Sequence, residues 1–86
     1  MSDVVVAVDV GGTVIKSAVV TEDAQVLARL RVPTSAALGT EVVYNNIVES
    51  IETLRDQLDE QSHLVAVGVV VTGIVDEKSG SAIHSE

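Results

Sequence analysis

The chain has 86 residues, which fits one small domain or a part of a larger one. Hydrophobic residues make up 47% of it and Tyr44 is its one aromatic residue, so the core must be built from Val, Ile, Leu and Ala. The net charge of −8 argues against binding to nucleic-acid backbones, and the lack of cysteine excludes disulfides and cysteine-ligated zinc within these residues.

The sequence predicts neither an export signal nor a membrane span. The N-terminus has no basic segment before an apolar run, so no signal peptide is expected. The longest apolar run covers residues 64–71, far fewer than the roughly 20 residues that a membrane-spanning helix needs. We therefore expect a cytoplasmic setting, with neither a membrane nor a nucleic acid as partner.

Three strands are predicted in the first part of the chain. Residues 4–10 are almost continuously apolar, which is typical of a strand buried on both faces. Residues 14–21 form a second strand that returns along the first. In residues 25–32, apolar residues alternate with two arginines, which suits an edge strand with one wet face that ends at Pro33.

A helix and a fourth strand follow a loop of small residues. Apolar residues at helical spacing predict a helix over residues 40–61. Its buried face is expected to contain Tyr44, Ile47, Val48, Ile51, Leu54 and Leu58. Residues 64–71 again resemble a strand buried on both faces, residues 72–76 a loop, and residues 81–84 the start of a short strand.

The helix must carry the chain across the sheet, so that the fourth strand lies parallel to the first. We therefore expect an α/β fold with a mixed sheet of order 3-2-1-4 and one crossover helix. Such a sheet leaves one face without a cover. Val42, Val43 and the outer faces of both apolar strands are expected to be exposed, so the isolated chain should be marginally stable or self-associate.

The connection between the first two strands, Asp-Val-Gly-Gly-Thr-Val-Ile-Lys, concentrates polar groups. A plain two-residue hairpin uses glycine because both central residues need a positive φ. Here Gly11 and Gly12 also leave backbone N–H groups uncovered, Thr13 adds a hydroxyl, and Lys16 adds a positive charge. Asp9 supplies a hard oxygen ligand at the end of a strand. These are the groups that a phosphate and its Mg²⁺ require.

The pattern Asp-x-Gly-Gly-Thr-x-x-Lys resembles the first phosphate-binding motif of the ROK family (repressors, open reading frames and sugar kinases). That family belongs to the ribonuclease-H-like, or actin-like, ATPases. Residues 72–76, Thr-Gly-Ile-Val-Asp, are similar to the family's Pro-Gly-x-Val-Asp segment close to the sugar. Thr72 replaces the proline, which bears on sugar preference more than on fold. The resemblance implies that residues 1–86 form the N-terminal part of the first lobe, without the second lobe.

The resemblance also implies a role for each residue of the hairpin tip. Asp9 would hold the Mg²⁺ of the nucleotide; the alternative is that its carboxylate only caps its own turn. Gly11 and Gly12 would let phosphates approach the backbone, in addition to forming a tight turn. Thr13 would contact a phosphate rather than only favour a strand. Lys16 either lies near the phosphates or is simply solvated, and the sequence does not decide between the two.

Other residues carry weaker indications. By the same resemblance, Thr72 and Gly73 are candidate sugar contacts, although Gly73 also suits a turn. Asp76 is expected to fix its loop rather than to take part in chemistry. His63 and His84 have no partner at metal-ligand spacing, so we predict no metal site at either position.

The resemblance implies an ATP-dependent sugar kinase that transfers a γ-phosphoryl group to a hexose hydroxyl, as glucokinases do. Its cofactors would be ATP and Mg²⁺, but ATP is implied by the family alone, so polyphosphate or another phosphoryl donor stays open. The complete protein would be a homo-oligomer. The family's general base, an aspartate, and its structural zinc cluster would lie beyond Glu86, so the 86 residues alone are expected to be inactive.

Two alternatives stay open at this point. One is a non-catalytic, sugar-sensing regulator of the same family, although such regulators carry a DNA-binding domain first and a strand beginning at Val4 leaves no room for one. The other is a stand-alone binding module.

Overall fold

The computed structural model describes residues 2–72, 74–76 and 81–83. In chain order its elements are β1 (Ser2–Val10), β2 (Val14–Thr21), β3 (Val26–Pro33), a short 3-10 helix (Ala36–Leu38), α1 (Thr40–Asp56), β4 (Ser62–Val71), β5 (Ile74–Asp76) and β6 (Ser81–Ile83).

The strand β1 lies inside a four-stranded sheet of order β3-β2-β1-β4. β2 runs antiparallel to β1, with Val10 opposite Ile15, and β3 runs antiparallel to β2. β4 runs parallel to β1, with Val10 opposite Val71. A parallel neighbour requires a long crossover, and α1 lies within it. The predicted α/β class and the order 3-2-1-4 are confirmed.

The core lies on one side of this sheet, beneath α1. Valine dominates it because β-branched side chains fit the pleated surface of a strand. The buried apolar residues are Val4, Val6, Val8, Val10, Ile15, Val19, Val43 and Leu54. Alternate residues of β1 thus point toward α1, which packs on β1, β2 and β3.

The expectation that the first and fourth strands are buried on both faces is wrong for this chain. In β1, Ala7 and Asp9 are exposed between buried valines. In β4, Val65 and Val70 are 53% and 58% exposed. The reason is that α1 covers one side of the sheet and packs on β1, β2 and β3, so it leaves most of β4 in contact with solvent.

The helix α1 is shorter than predicted, since it ends at Asp56 and not at residue 61. Just beyond it, the backbone N–H of Gln61 donates to the Asp59 carboxylate at 2.9 Å. An aspartate that bonds the backbone two residues on offers the chain a turn in place of a further helical turn. The Asp59 turn keeps residues 59–61 out of the helix and leads the chain into β4 at Ser62.

The buried face of α1 agrees with the prediction except in the first turn of the helix. Leu54 is buried, and Ile47 and Ile51 pack against the core. Tyr44 is 64% exposed, whereas Val43 is buried. Successive helical residues point about 100° apart, so a shift of one position moves a side chain off the face. Val43, Ser50 and Leu54 are the buried residues of the helix, and Val42 is half-buried.

The edge strand β3 agrees with its predicted alternation. Leu30 and Val32 are half-buried toward the core, whereas Arg29 and Arg31 are exposed on the other face.

The predicted loop over residues 72–76 is wrong for Ile74–Asp76, because these residues form β5 and pair with β6. Gly73 and His84 lie outside the described residues. Among the helices of the described ranges, none has the length and apolar character needed to cross a membrane.

Candidate functional site

The carboxyl ends of β1 and β4 meet at one edge of the sheet. Val10 lies opposite Val71, and the backbone N–H of Thr72 donates to the carbonyl of Val10 at 2.8 Å. The two sequence motifs, one after each strand, therefore lie side by side. In α/β sheets this edge, beyond the carboxyl ends of parallel strands, is where ligands bind.

The loop between β1 and β2 consists of three residues, 11–13, because β1 ends at Val10 and β2 begins at Val14. The N–H of Gly11 donates to the carbonyl of Val14 at 3.0 Å and closes the loop. Gly11 does not take the left-handed φ that a two-residue hairpin requires. It has a different reason to be glycine: an added Cβ would lie 3.1 Å from the carbonyl oxygen of Val14.

Gly12 and Thr13 form the exposed tip of this loop. Their backbone N–H groups reach no carbonyl among the described residues, whereas the N–H of Gly11 is taken by Val14. Successive unpaired N–H groups in a turn make a concave surface that attracts anions. In this loop the N–H groups of Gly12 and Thr13 are therefore open to a ligand, whereas Gly11 lets the loop close by lacking a side chain.

The sequence analysis did not identify Thr34, which holds the loop from its buried side. Thr34 directly follows β3 and is fully buried. Its hydroxyl donates to the carbonyl of Gly11 at 2.8 Å, and its N–H donates to the carbonyl of Thr13 at 3.0 Å. The side-chain amide of Asn46, in α1, donates to the carbonyl of Thr34 at 3.3 Å. Thr34 and Gly11 are 23 positions apart, so no local pattern signals the contact.

Asp9 and Lys16 lie directly opposite each other on β1 and β2, and both are exposed on the side of the sheet away from α1. Arg31 lies opposite Lys16 on β3, and Arg29 lies two residues away on the same face. Three of the five Lys and Arg residues of the chain thus share this face. In a chain with net negative charge, they provide a local positive potential close to the loop.

The Asp9 carboxylate is a suitable ligand for a Mg²⁺ ion that also contacts phosphate. It accepts no hydrogen bond from the described side chains or backbone, so the turn-capping alternative has no bond to support it there. No group of three or more His, Cys, Asp or Glu residues in the described ranges could form a metal cage. Mg²⁺ commonly keeps several waters and binds one or two carboxylates plus substrate phosphates. The single exposed carboxylate of Asp9, next to a loop that can bind phosphate, suits Mg²⁺.

The sheet order, the crossover helix and the loop between the first two strands define a ribonuclease-H-like fold of the actin-like ATPase class. The ROK family model matches residues 5–86. This chain therefore belongs to the ROK family, as its two motifs predicted.

Two glucokinases show the extent of the similarity. A glucokinase of Halalkalibacterium halodurans is 28% identical over 81 residues, which cover 93% of this chain and 24% of that protein. The crystal structure of a ROK family glucokinase from Streptomyces griseus in complex with glucose and AMPPNP has a TM-score of 0.70 and 28% identity. That match covers 92% of this chain and 23% of the other. The chain thus spans about a quarter of the length of these relatives.

Proposed function

We propose that this chain supplies the phosphate-binding part of an ATP-dependent sugar kinase, which transfers the γ-phosphoryl group of ATP to a hydroxyl of a glucose-like hexose. The observation that carries the proposal is the exposed tip formed by Gly12 and Thr13, just after Asp9. The N–H groups of the tip have no hydrogen-bond partner in the part of the chain that the structure describes. Support also comes from the two relatives, which are glucokinases, one of them in complex with glucose and AMPPNP.

In this proposal the loop binds and orients the phosphates. The N–H groups of Gly12 and Thr13, with the Thr13 hydroxyl, donate hydrogen bonds to phosphate oxygens. Gly11 keeps the loop closed without a side chain in the way. Catalysis of phosphoryl transfer depends mostly on positioning and on stabilising charge, and backbone donors held by a sheet provide both without rearrangement.

The side of the sheet away from α1, with its charged residues, completes the nucleotide site. Asp9 would hold Mg²⁺, which neutralises charge on the transferred group when bound. Lys16 lies directly opposite Asp9 on the same face, and we propose that its ammonium group attracts the phosphates toward the loop. Arg31, opposite Lys16, adds to the same positive potential.

The sugar would lie near the end of β4. Thr72 is exposed there, and because its N–H is used by Val10, its hydroxyl is the group left for a sugar. Gly73, outside the described residues, is proposed as the second sugar contact. We place the general base, the second lobe and any structural zinc in a part of the protein beyond Glu86, so residues 1–86 are the N-terminal part of the first lobe and are inactive alone. The complete enzyme would be a cytoplasmic homo-oligomer.

The proposal is tested by measuring the affinity of the complete protein for AMPPNP, with and without Mg²⁺, in wild type and in Asp9→Asn. We expect Asp9→Asn to weaken binding by about tenfold or more in Mg²⁺, the scale of one charge-assisted contact, and to change it little without Mg²⁺. Asp3→Asn is the matched control, because Asp3 is an exposed aspartate near the opposite end of the same strand.

Three outcomes would contradict parts of the proposal. Equal effects of Asp9→Asn and Asp3→Asn would exclude a special role for Asp9. Failure of wild type to bind AMPPNP would remove the nucleotide site altogether. Binding of glucose without glucose-dependent ADP release by the complete protein would favour a sugar-sensing regulator over a kinase.

A further inference from the structure

We propose that Thr34 is a positioning residue for the phosphate-binding loop, and that its hydroxyl sets the direction in which the Gly12 N–H points. The inference rests on the proposed nucleotide site, but it concerns a residue outside both motifs. Thr34 lies between β3 and the 3-10 helix and is fully buried, so it acts on a ligand only through the loop.

The argument begins with the geometry of the peptide group. The carbonyl of Gly11 and the N–H of Gly12 belong to one planar, trans peptide unit, and they point in opposite directions. Because the Thr34 hydroxyl binds the Gly11 carbonyl at 2.8 Å, that carbonyl is directed inward. The N–H of Gly12 must then point outward, to the side where a phosphate would be bound.

A second contact fixes the peptide group between Thr13 and Val14. The backbone N–H of Thr34 donates to the carbonyl of Thr13 at 3.0 Å. Thr34 therefore holds two of the three loop carbonyls, those of Gly11 and Thr13, on the inner side of the loop. A carbonyl dipole facing a phosphate would repel it, so keeping these oxygens inward favours anion binding as much as the donors do.

The position of Thr34 is itself linked to α1. The side-chain amide of Asn46 donates to the carbonyls of Pro33 and Thr34, both at 3.3 Å. This links the loop, through one buried side chain, to the helix that covers the core. We infer that the loop is already ordered before a nucleotide binds, so that binding loses little entropy.

The experiment compares Thr34→Val, which keeps the shape but removes the hydroxyl, with Thr34→Ser, which restores it. The matched control is Thr21→Val, because the Thr21 hydroxyl accepts a hydrogen bond from the Gln25 backbone at the far end of the same hairpin. In the complete protein, two quantities are measured: the Kd of AMPPNP with Mg²⁺, and the amide resonance of Gly12 in ¹⁵N-glycine-labelled protein without nucleotide.

We expect Thr34→Val to raise the Kd about tenfold, the scale of one buried hydrogen bond, and to shift the Gly12 resonance. Thr34→Ser should return both to near the wild-type values, and Thr21→Val should change neither. If the complete enzyme is active, the KM for ATP should rise in Thr34→Val while the KM for the sugar stays constant. A general loss of packing would not raise the KM for ATP while leaving the KM for the sugar constant.

The inference is overturned if folded Thr34→Val binds AMPPNP as wild type does and leaves the Gly12 resonance in place. If wild type binds no nucleotide, the proposed function fails, yet the resonance still decides the role of Thr34. If Thr34→Val does not fold, Asn46→Asp replaces it, since it removes the donor to the Thr34 carbonyl. An unmoved Gly12 resonance and unchanged affinity in Asn46→Asp would then count against the inference.

Discussion

The two faces of the β1–β2 hairpin differ sharply, although the same two strands form both. Toward α1, β1 presents Val6 and Val8, which are almost completely buried. Away from α1, Asp9, which follows Val8, and its partner Lys16 on β2 are exposed. The face toward α1 therefore stabilises the fold by burying apolar surface, at roughly 25 cal/mol per Å². The other face presents charged groups to solvent.

This difference shows how a short chain separates stability from chemistry. A strand places successive side chains on opposite faces, so each second residue is free to serve a ligand without disturbing the core. The loop at residues 11–13 lies where the two faces meet, and it is held from the core side by Thr34. The predictions below test whether the two faces are as independent as this arrangement indicates.

The largest effect is expected from the covered face. Leu54→Ala removes a fully buried side chain of α1 and should lower the free energy of unfolding by about 2–5 kcal/mol, because lost burial adds to the cavity it leaves. Urea unfolding followed by circular dichroism measures this. Leu38→Ala is the control, since Leu38 is 70% exposed. A similar loss in both variants would mean that the core does not lie beneath α1.

The loop between the faces should respond next. Gly11→Ala places a Cβ 3.1 Å from the carbonyl oxygen of Val14, so the loop must open slightly and its N–H groups must move. We expect AMPPNP affinity to fall by about tenfold, which corresponds to roughly 1.4 kcal/mol. Gly68→Ala is the control, because nothing lies within 4 Å of a Cβ added there. Equal titration curves for both variants would contradict the proposed role of Gly11.

A smaller effect of opposite sign is expected at Ser17, a polar residue on the covered face. It is buried, and its hydroxyl has no hydrogen-bond partner among the described residues. Ser17→Ala should therefore raise the free energy of unfolding by about 1 kcal/mol, since an unsatisfied buried hydroxyl is costly. Ser62→Ala, which removes an exposed hydroxyl bonded to Asp59, should change it less. Destabilisation by Ser17→Ala would reveal a partner for that hydroxyl.

The smallest change in stability is expected on the uncovered strand β4. Val65 and Val70 are both more than half exposed, so replacing them together by threonine should alter the free energy of unfolding by only about 0.5 kcal/mol. Self-association of the 86-residue chain, measured by light scattering, should decrease because exposed apolar surface drives it. Unchanged association would place the contact surface elsewhere.

Much of the fold followed from local patterns. The strand positions could be predicted because runs of valine favour strands, and the crossover helix because its apolar residues recur at helical spacing. Most of the buried face of that helix was predictable as well, since Ile47, Ile51 and Leu54 pack in the core. Its first turn was not, because Val43 and Tyr44 are adjacent apolar residues and only packing on the sheet selects Val43. The end of the helix was also missed, since α1 ends at Asp56 and a turn at Asp59 takes the place of the predicted last helical turn.

The candidate site divides in the same way. The polar groups around the loop follow from the sequence, since Asp9, Gly12, Thr13 and Lys16 are close along the chain. Tertiary contacts leave the N–H groups of Gly12 and Thr13 without a partner among the described residues, and they bring Thr34 and Asn46 to the loop. Side-chain periodicity and turn chemistry act only between neighbours in sequence. A hydrogen bond between residues 23 positions apart forms only after the sheet and helix have brought them together.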